Sequence, residues 1–129
     1  GGYNNTAVGY NSGFSITTGK MNTLVGVGTG GAGTCTGDAN TGVGLGALLT
    51  LNNNAQNVAF GYYALSSLQA GANANVAIGY SAGSSITTGS YNVVIGGNNG
   101  ASIATSSNNI LITDGQGNIR MTIGSTGIF

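Results

Sequence analysis

The sequence contains no histidine, glutamate, proline or tryptophan, and its only charged residues are Lys20, Asp38, Asp114 and Arg120. Without histidine or glutamate, the proton acceptor that most enzymes need would have to be one of the two aspartates. Asp114 precedes a glycine in a turn, where we expect its carboxylate to accept hydrogen bonds from nearby backbone amides. Asp38 lies near a glycine-rich loop. The composition therefore predicts a protein that is not an enzyme.

Cysteine is represented only by Cys35, so no disulfide can form within the chain. A zinc site built on Cys35 would lack both histidine and a second thiolate. The calcium-binding repeat of other β-rolls needs an aspartate in every turn, which this chain does not have. The sequence therefore predicts no metal site and no cofactor. We expect Cys35 to be a small, partly buried residue in a glycine-rich loop.

The net charge is zero, so the chain has no basic surface for the phosphates of nucleic acid. Its apolar runs are too short to cross a bilayer, and no charged and then apolar leader opens it. We therefore expect no nucleic-acid partner, no membrane insertion and no signal peptide. The first residue is not methionine, and residues 2–4 resemble residues 89–91, which precede a later repeat. We expect the sequence to be a piece of a longer polypeptide.

What the sequence does contain is one short motif, such as Asn-Val-Ala-Ile-Gly at residues 75–79, that returns at a nearly constant interval. The asparagine that opens each copy recurs every 17 or 18 residues. These asparagines are Asn5, Asn22, Asn40, Asn57, Asn75, Asn92 and Asn109. Such an interval is typical of a solenoid, in which each repeat forms one coil.

Two apolar columns accompany the asparagines. The residue after each asparagine is Thr, Val or Ile, which favours an extended strand. Two residues further on lie Val8, Val25, Val43, Phe60, Ile78, Ile95 and Ile112. A second column stands eleven residues after the asparagine, at Ile16, Leu51, Leu68, Ile86 and Ile103, with Gly33 as the exception. We predict that both columns point inward. Because side chains alternate along a strand, Ala7, Ala59, Ala77 and Val94 are then expected to face outward.

These patterns predict an all-β protein, a parallel β-solenoid or β-roll with coils of 17–18 residues. Residues 1–108 form the predicted repeat array, with six coils and the tail of a preceding one. Residues 109–129 form a predicted strand-turn-strand linker that closes the array as a hairpin, and Ile128 and Phe129 begin a further element. We expect the stacked asparagines to hydrogen-bond from one coil to the next.

The coils are thin, and this favours association between chains. Burial of the two or three aliphatic side chains of a coil stabilises it by less free energy than the ordering of its backbone costs. We therefore expect several chains to pack together, intertwined or side by side, through the small and uncharged face that carries Ala7, Ala59, Ala77 and Val94.

The repeats resemble a known family. Residues 75–83 and 5–10 resemble the head repeat of trimeric autotransporter adhesins of the YadA type, which implies a left-handed β-roll built from three chains. The longer coil of this sequence is similar to the shafts of bacteriophage tail fibres and tailspikes. Residues 109–120 resemble the linker before an endosialidase-type intramolecular chaperone domain, which directs trimerisation and is then cleaved off. The resemblance implies a homotrimeric segment of a virion tail that serves host attachment. The alternative is the head of a trimeric adhesin on a bacterial surface, or an extracellular filament subunit.

Tyr10, Tyr62 and Tyr80 share the position after the strand glycine. Aromatic rings with amide neighbours can bind sugars, so these tyrosines are candidate contacts to a host cell-surface glycan. The other interpretation is that they stack as a ladder and pack the coil corners. An ice-binding solenoid would need a threonine array on every coil, but the Thr-Thr pair occurs in two of the six. A polysaccharide-cleaving spike would need acidic pairs, which the sequence lacks.

Overall fold

The computed structural model describes residues 1–127, and in it the chain is an all-β solenoid whose short strands recur at the same place in successive coils. The strands are β1 (Thr6–Val8), β2 (Thr23–Val25), β3 (Thr41–Val43), β4 (Val58–Phe60), β5 (Val76–Ile78), β6 (Val93–Ile95), β7 (Ile110–Thr113) and β8 (Ile119–Ile123). One turn of 3-10 helix spans Ala101–Ile103. The predicted fold class is confirmed. Ile128 and Phe129, where we expected a further element, lie outside the described residues.

All eight strands form one sheet in chain order. From β1 to β7 each strand pairs in parallel with the next, so that Val76 lies beside Val93 and Ile78 beside Ile95. β8 turns back and pairs antiparallel with β7, as predicted for the closing hairpin. With about 4.8 Å between neighbouring strands, the sheet stands about 34 Å tall.

Each coil enters its strand through a residue in the left-handed conformation, immediately before the asparagine. The φ angle there lies between 54° and 64° in every copy. The residues are Asn4, Met21, Ala39, Gln56, Ala74, Tyr91 and Asn108. None is glycine, although a side chain makes this conformation unfavourable by about 1–2 kcal/mol. The contacts between coils, rather than local preference, therefore impose the turn.

Glycine is required where each strand ends. The glycines that follow β1 to β6 have φ between 110° and 140°, a region that other residues avoid. A Cβ atom at Gly44 would also lie 2.6 Å from the carbonyl oxygen of Gly61 in the next coil. The glycine column of the sequence therefore marks the place where successive coils approach most closely.

The interior of the roll is narrow and filled. On the strand side Leu24, Ala59, Ala77, Val94 and Leu111 are buried. The opposite side is formed by the second column, of which Leu51, Leu68, Ile86 and Ile103 are buried as predicted. Ile16 packs against the same core from a partly buried position.

The first apolar column faces outward, so the prediction that it points inward is wrong. Val8 is 58% exposed, Phe60 56% and Ile78 43%. Val25, Val43, Ile95 and Ile112 occupy the same face, as the parallel pairing requires. The reason is space: Leu and Ile of the second column already fill the interior, which leaves room on the strand side for smaller residues in most coils. Ala59, Ala77 and Val94 take that room, so the predicted association through them is also wrong.

Candidate interaction surface

The outward side of the sheet is a continuous and mainly apolar surface, which we call the outward sheet face. It consists of the residues one and three places after each asparagine, together with Met121 and Ile123 of β8. Those residues are Thr6, Thr23, Thr41, Val58, Val76, Val93 and Ile110, and Val8, Val25, Val43, Phe60, Ile78, Ile95 and Ile112. In β8, Met121 lies beside Ile112 and Ile123 beside Ile110, so both side chains share this face.

Two properties set the outward sheet face apart from an ordinary surface. None of the four charged residues of the chain belongs to it. It also runs over all eight strands, about 34 Å in height and about two side chains in width, on the order of 300–400 Å². Scattered exposed apolar residues are normal on a protein, whereas a contiguous patch of this size matches the largest apolar patch of a typical monomer, which is often functional.

The three candidate glycan contacts do not form one group. The rings of Tyr62 and Tyr80 are stacked, with centroids 5.3 Å apart and planes 4° from parallel. Tyr63 lies against Tyr62 at 4.7 Å in a tilted arrangement. Between Tyr10 and Tyr62 the same position is held by Val27 and Leu45, so Tyr10 stands apart.

In the stacked pair each ring covers one face of the other, which is the arrangement expected of a packing ladder. A sugar that stacks on tyrosine needs an uncovered ring face. The geometry therefore restricts a shared aromatic site to Tyr62 and Tyr80, and glycan contact stays a prediction.

The seven asparagines form a ladder, as predicted, and all of them except Asn5 are buried. In six successive steps the side-chain oxygen of one asparagine accepts the backbone N–H of the next, at 2.9–3.0 Å. Within its own coil, the side-chain nitrogen donates to a backbone carbonyl near the end of that coil, at 2.7–3.0 Å. The six asparagines from Asn5 to Asn92 thus each close one coil and bind the next. Among residues 1–127 no buried side-chain nitrogen or oxygen lacks a partner.

A second ladder, which the sequence did not reveal, runs two residues before the asparagines and in the opposite direction. The backbone N–H of Lys20 donates to Asp38 Oδ1 in the next coil, at 2.8 Å. Asn73 donates likewise to the Ser90 hydroxyl, and Ser90 to the Ser107 hydroxyl, both at 3.0 Å. The acceptor residues have in common only a short polar side chain. Because no single residue type recurs at this position, the sequence pattern does not indicate the ladder. The carboxylate of Asp38 is therefore used to join two coils.

Asp114 organises the loop of the hairpin. Its Oδ1 accepts the backbone N–H groups of Gln116 and Asn118, both at 3.0 Å, as predicted. Its Oδ2 accepts a bond from Arg120 Nη2 at 2.6 Å. Hydrogen bonds from the Asn118 side chain, and then from the Asn118 amide and Arg120, lower the pKa of Asp114 to about 2. At neutral pH Asp114 is thus a fully ionised acceptor in a surface loop, a poor general base.

Cys35 belongs to the core rather than to a partly buried loop, so its predicted environment is wrong. It is fully buried and pairs with Ile16 of the preceding coil. In this coil the second column has Gly33, which has no side chain, and the side chain of Cys35 therefore fills the corresponding space in the core. Burial raises the pKa of the Cys35 thiol, which disfavours the reactive thiolate.

Within residues 1–127 no three residues of the types His, Cys, Asp or Glu lie close enough together to hold a metal ion. In the same part of the chain no helix has the length and hydropathy needed to cross a membrane. The outward sheet face is thus the candidate site for which the geometry gives the strongest argument. Comparison with known protein families, with curated proteins and with solved structures finds no match to this chain.

Proposed function

We propose that this chain is a structural and adhesive segment of a bacteriophage tail fibre or tailspike, a homotrimeric shaft that serves host attachment at the virion tail. The observation that carries the proposal is the outward sheet face, because the seven parallel strands β1 to β7 present large apolar side chains to solvent and contain no charged residue. The number of chains and the phage setting rest on the resemblance of the repeats and of residues 109–120.

Self-association explains the composition of this face. A partner must offer an apolar surface of the same height, since a charged or strongly polar partner would lose solvation without compensation. A second copy of the chain offers such a surface with the same spacing of about 4.8 Å between rungs. Three copies around one axis would each place this face against two others, which is a closed arrangement.

The proposed role of the chain involves no catalysis. Asp38 joins two coils through the backbone of Lys20, and Asp114 is held by its own loop and by Arg120. Each aspartate already has a structural function. A contact to host glycan through Tyr62 and Tyr80 belongs to the same proposal as a secondary feature.

Sedimentation velocity on the full chain tests the proposed association. We expect a species of three chains, each of 12.5 kDa. Phe60→Asp should yield monomers, because it places a charge on the outward sheet face. Ser67→Asp adds the same charge to the same coil, at an exposed position away from that face, and should remain trimeric. A monomeric parent chain would refute the proposal.

The biological setting has its own test. Antibodies against the chain are expected to label virion tails in electron micrographs. Labelling of the bacterial surface instead would support the head of a cellular adhesin.

A further inference from the structure

A face built from repeats does not by itself determine how two copies align along the roll. The column from Val8 to Ile112 contains only valine and isoleucine apart from Phe60. Sliding one copy by a single rung, about 4.8 Å, therefore replaces most contacts by nearly identical ones. Weakly specified register is a general hazard of strands with uniform sequence. Some element outside the repeat has to define the alignment.

β8 is the part of the outward sheet face that does not repeat. Among the strands of residues 1–127, β8 alone runs opposite to the other seven, and its pairing with β7 is shifted between Ile112 and Thr113. It contributes Met121, which is 50% exposed, where every coil offers Val, Ile or Phe. The end of the face therefore differs in shape from all of the coils below it.

The hairpin that carries β8 is also held firmly to the coil beneath it, through the last residue of β7 and the loop that precedes β8. The Thr113 hydroxyl donates to the carbonyl of Ile95 at 3.1 Å. The Asn98 side chain donates to the carbonyl of Gly117 at 2.9 Å, and the backbone of Gly97 donates to that of Asp114 at 3.1 Å. The hairpin cannot move along the roll without breaking these bonds, so its position marks one fixed height.

We propose that β8 fixes the axial alignment of associated copies, by packing Met121 and Ile123 against the β8 strands of the neighbouring chains. A slip by one rung leaves one β8 beyond the end of its partner, with its apolar side chains in water. This proposal rests on the self-association proposed above. It assigns to the hairpin a role in alignment, while the coils supply most of the contact area.

Disulfide cross-linking between adjacent rungs measures the alignment. In a Cys35→Ala background, one chain carries Ile78→Cys and the other Ile95→Cys. These positions are neighbours on the outward face and similarly exposed, at 43% and 40%. The two chains are refolded together and oxidised, and mass spectrometry counts the links. Because a disulfide requires a Cβ separation of about 3.8 Å, aligned copies should form mainly links between identical positions.

The double variant Met121→Asn with Ile123→Asn is expected to remain associated and to raise the share of links between positions 78 and 95 severalfold. Thr122→Asn is the matched control, because Thr122 lies between Met121 and Ile123 on the opposite side of β8, and it should leave the share of links between positions 78 and 95 unchanged.

An unchanged share in the double variant would overturn the proposal, as would a rise produced by Phe60→Val alone. A monomeric double variant would also overturn it, since β8 would then hold the copies together rather than align them. A parent chain that forms no links refutes the association itself.

Discussion

The two faces of the strands are both apolar, yet they differ in how their residues are chosen. On the inner face size varies from coil to coil: Leu24 lies in a coil whose opposite side carries the small Cys35, and Gly42 lies beside Leu48. On the outer face every residue three places after the asparagine is large. The inner residues therefore fit the space that their own coil leaves, whereas the outer residues match one another, as a surface requires when it packs against something outside the coil.

The largest expected effect separates the two faces directly. Ala77→Asp buries a charge among Gly83 and its neighbours in the core, and should lower the free energy of unfolding by at least about 4 kcal/mol. Ile78→Asp changes the next residue but points to solvent in the single chain. It should leave the β-sheet circular dichroism intact and abolish association. Thermal melts followed by circular dichroism, combined with sedimentation, distinguish the two variants. If Ile78→Asp unfolds the chain as completely as Ala77→Asp, the assignment of faces is incorrect.

An effect of intermediate size concerns the polar groups of the interior. Asn75→Ala leaves the backbone N–H of Asn92 and the carbonyl of Gly89 without their partner, both in a buried setting. Each of these two groups costs about 1–3 kcal/mol, so we expect a loss of about 2–6 kcal/mol in the free energy of urea unfolding. Gln56→Ala removes an exposed amide and should change stability by less than about 0.5 kcal/mol. Equal midpoints for both variants would show that the ladder contributes little.

The smallest expected effect comes from replacing alanine by glycine at two positions that differ in backbone conformation. Ala74 has φ of 54°, so Ala74→Gly relieves strain, and after the entropy of glycine is counted we expect a gain of about 0.5 kcal/mol. Ala59→Gly, on the inner face of β4, removes a buried methyl group and should cost about 1–2 kcal/mol. Urea midpoints report both. A loss of stability in Ala74→Gly would mean that the left-handed turn is not strained.

The repeat made most of the fold predictable, because it samples each position of the coil several times. The solenoid, the asparagine ladder and the hairpin with its Asp114 loop all follow from residues that recur or from a local turn. Which face of each strand points inward could not be predicted. In a strand such as Val76–Ile78 the residues on both faces are apolar, so no polar residue marks the side that faces solvent. The left-handed turn was missed for a different reason: residues as unlike as Met21 and Tyr91 adopt it, so it leaves no trace in composition.

The asparagine ladder bears on how such a chain can change in evolution. Each asparagine from Asn5 to Asn92 closes its own coil, and its bonds to other coils reach only the adjacent ones, so a coil is a repeating unit that depends only on its neighbours. Duplication or deletion of a segment of 17 or 18 residues would lengthen or shorten the roll by one strand spacing, about 4.8 Å, whereas the same segment as an α-helix would span about 26 Å. Descendants of one ancestral chain can therefore differ in length by small, discrete steps while every remaining coil keeps its bonds.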